Sequence, residues 1–271
     1  MASSDYVLGS HAEELERLRF QHQLWRPLAQ AAWRRAGLAP GERVLDLGAG
    51  PGFAALELAR AVGPTGQVLA LERSEAYLAS GRRAAAGLPQ LNLHRHDLMA
   101  GPLDPALTTP AFDLAWCRWV AMFLPQLEPL LELLAAALRP GGRAVFQEYV
   151  HWDTFALYPQ AEAIGRFGRQ VQQSFRASGG DPDVNRRLPS LLAARGFRIE
   201  ELRPLPVLGP QGSMAAQWLE RFVLVYGAQL QRQGLWSAAD AAAAAAEIEA
   251  ARRDPGSFWV GPTVLELRAG R

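Results

Sequence analysis

The sequence predicts an α/β fold, a parallel sheet with helices on both faces. Two observations carry this. Short apolar β-type runs alternate with helical patterns from Arg43 to Val150, and strands alternating with helices join through right-handed crossovers into a parallel sheet. The first of these runs, Val44-Leu45-Asp46-Leu47, leads directly into Gly48-Ala49-Gly50-Pro51-Gly52 and then a helical pattern. A strand that ends in glycines and opens a helix forms a cradle for a polar ligand.

The elements follow in order. Residues 11–36 read as a helix. Glu13, Glu14, Glu16, Arg17 and Arg19 form its charged face, and Leu15, Leu18, Phe20, Leu24 and Trp25 its apolar positions. Gly37 and Pro40-Gly41 stop it. Strand one is Arg43–Leu47, followed by a helix to Val62 and the turn Gly63-Pro64-Thr65-Gly66. Strand two is Gln67–Glu72, a helix covers Ser74–Ala86, and strand three is Leu91–His96. A Pro/Thr-rich loop spans 99–110, and strand four is Phe112–Cys117. A helix over 125–138 stops at Arg139-Pro140-Gly141-Gly142, and strand five is Arg143–Val150.

The pattern then changes. Helices are expected over 153–178, 185–195 and 213–253, with strand six at Phe197–Leu202 and a last strand at Ser257–Leu267. The alanine run Ala241–Ala246 is a strong helix former. Two helical blocks, about 151–184 and 211–254, exceed what the sheet needs and are expected to form a lid over its carboxyl edge.

Composition sets limits. The chain has 271 residues, 49% of them hydrophobic and 20% charged, as in a globular protein with a sizeable core. A net charge of +1 gives no overall electrostatic case for nucleic acid or an anionic membrane. All 28 basic residues are arginine, so lysine Schiff-base chemistry is excluded. The single Cys117 excludes an internal disulfide and a multi-cysteine metal cluster. No compact His/carboxylate cluster has metal-ligand spacing. No apolar run reaches about 18 residues. The opening Met1-Ala2-Ser3-Ser4-Asp5-Tyr6 shows no basic-then-apolar leader. A cytoplasmic protein is expected, and a homodimer stays open.

Ligands of open α/β sheets sit outside the carboxyl ends of the strands, which yields a short list of residues. A dinucleotide site requires Gly-x-Gly-x-x-Gly; here the third glycine comes one residue early, and Asp46 precedes the first by two. Strand two ends in Glu72-Arg73, an acid able to accept both hydroxyls of a ribose. Strand three ends in His96-Asp97-Leu98, where Asp97 can accept from an adenine amino group and Leu98 can pack on the ring. Strand four ends in Cys117-Arg118-Trp119.

Taken together, residues 42–150 resemble the cofactor-binding core of class I S-adenosylmethionine (SAM) methyltransferases, of the methyltransferase-domain type that includes the ubiquinone/menaquinone C-methyltransferases. Val44–Phe53 resembles motif I, Leu71–Arg73 the acidic ribose position, and His96-Asp97-Leu98 the adenine position. Phe112–Trp119 resembles motif IV, and Leu138–Gly142 the Leu-x-Pro-Gly-Gly turn. Tyr6-Val7-Leu8-Gly9, Glu14–Leu18, Gln21, Phe146-Gln147-Glu148 and Val260-Gly261-Pro262 are similar to a group of bacterial small-molecule methyltransferases.

The resemblance implies a Rossmann-like seven-stranded sheet of order 3-2-1-4-5-7-6 with strand seven antiparallel. It implies a cap over the cofactor from residues 1–41 and a methyltransferase domain over 42–271. The implied SAM contacts are Asp46, Gly48, Ala49, Gly50, Gly52, Glu72, Arg73, Asp97, Leu98 and Arg118, with Tyr6 and Gln21 from the cap.

SAM carries its own activated methyl group, so such a protein mainly positions and desolvates for in-line transfer, with S-adenosylhomocysteine (SAH) as product. An oxygen or carbon acceptor also needs a base. His151 and Glu148 at the end of strand five are the candidates, imidazole being suited to proton transfer near neutral pH. Trp119, Phe123, Tyr149 and Trp152 are expected to wall an apolar substrate pocket. The expected activity is methyl transfer to an O, N or C atom of a small aromatic or apolar molecule. The alternatives are an RNA or protein methyltransferase and a non-catalytic SAM-binding partner. The motifs specify the cofactor and leave the reaction open.

Overall fold

A computed structural model describes residues 12–159 and 161–271. The elements are α1 (Ala12–Arg35), β1 (Arg43–Leu47), α2 (Phe53–Val62), β2 (Gln67–Glu72), α3 (Glu75–Ala84), β3 (Leu91–Arg95), α4 (Pro105–Thr108), β4 (Phe112–Arg118), α5 (Glu128–Ala137) and β5 (Leu138–His151). There follow β6 (Ala156–Tyr158), α6 (Glu162–Ala177), α7 (Leu188–Ala193), β7 (Arg198–Leu205), β8 (Leu208–Pro210), α8 (Met214–Arg232), α9 (Ala238–Arg253), β9 (Phe258–Val260) and β10 (Thr263–Gly270).

Seven strands form one sheet in the order β3-β2-β1-β4-β5-β10-β7. Numbered within that sheet alone, this is the expected 3-2-1-4-5-7-6. The pairings β2–β3, β1–β2, β1–β4 and β4–β5 are parallel. β10 runs antiparallel to β5: Gly141 N–H donates to Arg271 O and Arg271 N–H to Gly142 O, while farther along Gln147 meets Glu266.

The sheet is buried on both faces, as parallel sheets are. Val44, Val68, Ala70, Leu114, Trp116 and Val145 join Ala29, Ala32 and Trp33 of α1 and Ala55, Leu58, Ala59 and Val62 of α2 in one core cluster. The alternate residues Leu45, Leu47, Leu69, Leu71, Ala115 and Cys117 are buried as well.

The chain divides into two compact units. The sheet unit comprises Trp25–Glu148, Val184–Arg203 and Leu265–Arg271. The helical unit comprises residues 12–24, Tyr149–Asp183 and Pro204–Val264. Within the helical unit α6 packs on α8 and α9. Glu247 of α9 accepts the Ala163 and Ile164 N–H groups at 2.8 and 2.9 Å, serving amides at the start of α6 that no helix carbonyl reaches. An antiparallel sheet β6-β9-β8 completes it.

The structure departs from the sequence reading in several places. The expected helix over 153–178 begins only at Glu162; a 3₁₀ turn at Trp152–Thr154 and strand β6 precede it. Tyr158 stands before Pro159, a position biased toward extended backbone, and the aromatic run suits a pleated surface. The helix expected over 213–253 is two helices, broken at Gly234 (φ 72°) and restarted by the Ser237/Asp240 capping box. Residues 185–195 yield a 3₁₀ turn at Val184–Arg186 and the short α7, and the last strand is split into β9 and β10 around Gly261-Pro262. The loop 99–110 contains the single-turn α4.

The charged face of α1 is also corrected. Glu14 and Arg17 are 0% and 5% exposed, paired through two contacts of 2.7 Å, with the guanidinium over the Phe222 ring. Among the described residues no helix is long and apolar enough to cross a membrane.

Candidate functional site

The site begins where β1 ends. In register, Leu47 lies between Leu71 of β2 and Cys117 of β4, so three strand ends meet at one edge. Gly48, Gly50 and Gly52 have φ of 68°, 55° and 83°. Side chains rarely adopt this left-handed region, so the turn requires glycine. Ala49 N–H donates to Leu71 O at 2.8 Å and Gly52 N–H to Ala49 O at 3.0 Å, closing the turn. α3 packs closely beneath it: a Cβ on Gly81 would stand 3.2 Å from Pro51 O and 2.6 Å from Leu93 Cδ2.

Glu72 reaches into this turn. Its Oε2 accepts the Gly50 N–H at 2.9 Å and its Oε1 the Ser74 N–H at 2.7 Å. Burial raises its pKa, opposed by the Ser74, Gly50 and Arg73 amides. Each carboxylate oxygen retains acceptor capacity for a further donor. Arg73 is exposed.

Asp46 is 3% exposed, and its Oδ2 is buried with no hydrogen-bond partner among the described residues. Burial pushes its pKa up to about 7; the charge of Arg118 opposes this shift and that of Glu72 adds to it. At the end of β3, Asp97 is exposed and its Oδ1 accepts the Met99 N–H at 3.0 Å, while Leu98 is buried. His96 contacts Gly101 O through Nε2 at 3.2 Å.

At the end of β4 the Arg118 guanidinium lies 5.2 Å from the Trp119 ring and 5.7 Å from that of Trp116. Trp119 has φ 53°. Its N–H donates to Gln147 O at 3.1 Å, and its ring meets Trp25 edge-on at 4.9 Å. Val120 fills the space beside Gly48: a Cβ there would come within 2.5 Å of Val120 Cγ2. Phe123, half-buried, closes the 3₁₀ turn Ala121–Phe123.

Glu148 is fully buried. Its Oε1 accepts the Val120 and Ala121 N–H groups at 2.7 and 2.9 Å. Burial pushes its pKa up to about 7 against those amides. His151 is exposed, and its carbonyl accepts from Thr154 Oγ1 at 3.0 Å.

In the helical unit the rings of Tyr149, Phe155, Phe175 and Phe222 lie 5.4, 5.9, 5.9 and 6.0 Å from that of Trp152. Gln21 Oε1 accepts from Arg17 and from Trp218 Nε1, both at 3.0 Å. Tyr6 lies outside the described residues.

The sheet unit thus brings Asp46, the glycine turn, Glu72 and Arg118 to one edge, with Asp97 and Leu98 at the next strand end. Sequence reasoning missed Val120, which buttresses Gly48, and Gly81. A glycine inside the helical pattern of Glu75–Ala84 signals close packing and could have flagged the latter.

Residues 44–142 match the family profile described as a methyltransferase domain. Over these residues the chain carries a methyltransferase domain, of the class I kind whose cofactor is SAM. It is 36% identical over 126 residues to a 2-phytyl-1,4-naphtoquinone methyltransferase of Synechococcus elongatus, covering 45% of this chain and 51% of that one. It is 30% identical over 167 residues to an uncharacterized 37.1 kDa protein in transposon TN4556 of Streptomyces fradiae, covering 61% and 46%. The chain therefore spans about half the length of these curated relatives. The fold resembles that of a geranyl diphosphate C-methyltransferase from Streptomyces coelicolor A3(2), with a TM-score of 0.57 and 19% identity over 96% of this chain and 86% of that one. The residues present fit SAM: the glycine turn admits close approach, Glu72 has acceptor capacity at the β2 end, and the buried Asp46 Oδ2 awaits a donor.

Proposed function

We propose that this protein is a SAM-dependent methyltransferase acting on an O, N or C atom of a small aromatic or apolar molecule. One observation carries the reading. The Glu72 carboxylate is bonded to the Gly50 amide of the glycine turn, beside a buried Asp46 oxygen that has no partner among the described residues. SAM, when bound, supplies an activated methyl group on a sulfonium.

Asp46, Gly48, Ala49, Gly50 and Gly52 form the cradle in this assignment, with Arg73 and Arg118 on its rim. Glu72 accepts from ribose hydroxyls, Asp97 accepts from the adenine amino group, and Leu98 packs against the base. Such preorganised contacts orient the cofactor and lower the entropic barrier to transfer. Gln21, and Tyr6 by analogy alone, are assigned to the cap formed by residues 1–41.

Trp119 and Phe123, and in the helical unit Tyr149 and Trp152, are assigned to acceptor selection, together with the insertions at 151–184 and 211–254. Their aromatic character suits an apolar or aromatic molecule, and the naphthoquinone methyltransferase relative favours a quinone-like acceptor. His151, exposed at the end of β5, is assigned proton acceptance where the acceptor atom requires it.

The test is a calorimetric titration with SAH, with NAD as control, followed by SAM turnover on a panel of phenols, quinones, amines and carboxylic acids. Binding of SAH alone, and methylation of a panel member, are expected. No SAH binding, or binding of NAD instead, would overturn the reading.

A further inference from the structure

Glu148 bonds the segment that follows β4. Its Oε1 takes two consecutive backbone amides, Val120 and Ala121, and Cys117 Sγ lies 3.7 Å away. Its own backbone carbonyl accepts from Asn185 Nδ2 at 3.2 Å; Asn185 is 1% exposed and also donates to Leu265 O at 2.7 Å. The Glu148 backbone is therefore held behind and its Oε1 in front, while Oε2 is buried with no hydrogen-bond partner among the described residues.

The turn it grips needs such a hold. Trp119, immediately before it, has φ 53°. For a bulky residue this costs on the order of 1–3 kcal/mol and persists only where the surroundings over-determine it. Val120 in turn stands where Gly48 lacks a side chain. A line of contacts thus runs from Asn185 through Glu148 and Val120 to the first glycine of the cradle.

We propose that Glu148 is a positioning residue for the cofactor: by gripping the Val120 and Ala121 amides it holds the Val120 side chain against Gly48 and so sets the shape of the glycine turn. This rests on the cofactor reading above and replaces proton transfer as the role of Glu148. The turn requires only an acceptor at Oε1, so glutamine substitutes for glutamate and alanine does not.

Calorimetric SAH titrations of the wild type, Glu148→Gln, Glu148→Ala and Phe112→Leu test this, each variant also being melted by circular dichroism. Glu148→Gln should stay within about threefold of wild-type affinity, and Glu148→Ala should bind at least about tenfold more weakly, having left the Val120 and Ala121 amides without their acceptor. Phe112→Leu loses buried packing at the opposite end of β4, without touching the turn, so its melting temperature should fall while its affinity holds.

Wild-type affinity in Glu148→Ala overturns the proposal. So does equal weakening in Glu148→Ala and Phe112→Leu, which would mean packing alone, or equal weakening in Glu148→Gln and Glu148→Ala. If Glu148→Ala does not fold, Val120→Ala takes its place: weaker SAH binding is expected, and unchanged affinity overturns the proposal. Failure of the wild type to bind SAH would show before any substitution, and would remove the cofactor reading itself.

Discussion

The Gly50 amide donates to the Glu72 carboxylate at 2.9 Å, so the turn after β1 and the acid ending β2 form one unit without any ligand. The same carboxylate also caps the chain at Ser74, immediately ahead of α3. Removing it leaves two amides without their acceptor.

Glu72→Ala and Asp46→Ala should therefore each weaken SAH binding by roughly 1–3 kcal/mol, about 5- to 150-fold. Calorimetry measures this directly. Wild-type affinity in both variants would remove these residues from the cofactor site.

Acidity should affect the stability of the ligand-free protein in a definite direction. Burial pushes both Asp46 and Glu148 up to about 7. Asp46 faces the opposing charge of Arg118 and the reinforcing charge of Glu72, and Glu148 faces the Val120, Ala121 and Met122 amides. Unfolded, such carboxyls ionise near pH 4. Between about pH 4 and about pH 7 the folded chain thus holds more protons, and stability falls as pH rises through that window. Urea unfolding at intervals from about pH 5 to about pH 8 should show a shallower fall in Asp46→Asn than in the wild type. An identical slope would refute the assignment to Asp46.

Two mid-helix glycines should respond with opposite signs. Gly81→Ala forces a methyl toward Pro51 O and Leu93, and should cost about 1–3 kcal/mol. Gly165 of α6 meets only the Arg169 guanidinium, at 3.7 Å, so Gly165→Ala should stabilise by about 0.5–1 kcal/mol. Thermal unfolding of the two variants compares them, and a gain in Gly81→Ala would contradict the close packing of α3 beneath the glycine turn.

The buried pair of α1 makes a sharper demand. Arg17→Ala leaves Glu14 enclosed without its bidentate partner and should destabilise by about 3–5 kcal/mol. The double substitution Glu14→Leu with Arg17→Met should recover most of that loss. If the single substitution is neutral, the pair contributes nothing to the helical unit.

His151→Ala should lower methyl transfer at saturating SAM while leaving SAH affinity unchanged, as expected for a proton acceptor. Full activity with the true acceptor would exclude that role.

The glycine turn and the parallel strands were legible because both signals are local: a run of apolar residues, then backbone that only glycine adopts. The acids at the strand ends were legible because the fold class dictates where ligands sit. Their partners were not. Nothing near Glu72 announces the Gly50 amide, and nothing near Glu148 announces the Val120 and Ala121 amides, because register brings them together across long sequence separations. Charge misled at α1, where a row of ionic residues reads as a solvated face until two of them satisfy each other inside. The aromatic run from Trp152 to Tyr158 fits helical and pleated periodicity equally, and the strands β8 and β9 that pair with it or beside it come from far along the chain.

The sulfur of Cys117 is fully enclosed, and burial together with the nearby Glu148 and Asp46 carboxylates pushes its ionisation well above the ordinary thiol range. A thiol held protonated and out of contact with solvent is a poor target for maleimide reagents. It is also the chain's only cysteine. A cysteine introduced at exposed Ala246 of α9 would thus be the one addressable thiol. A fluorophore or spin label could be attached there to follow the protein through its working cycle without first removing a native residue.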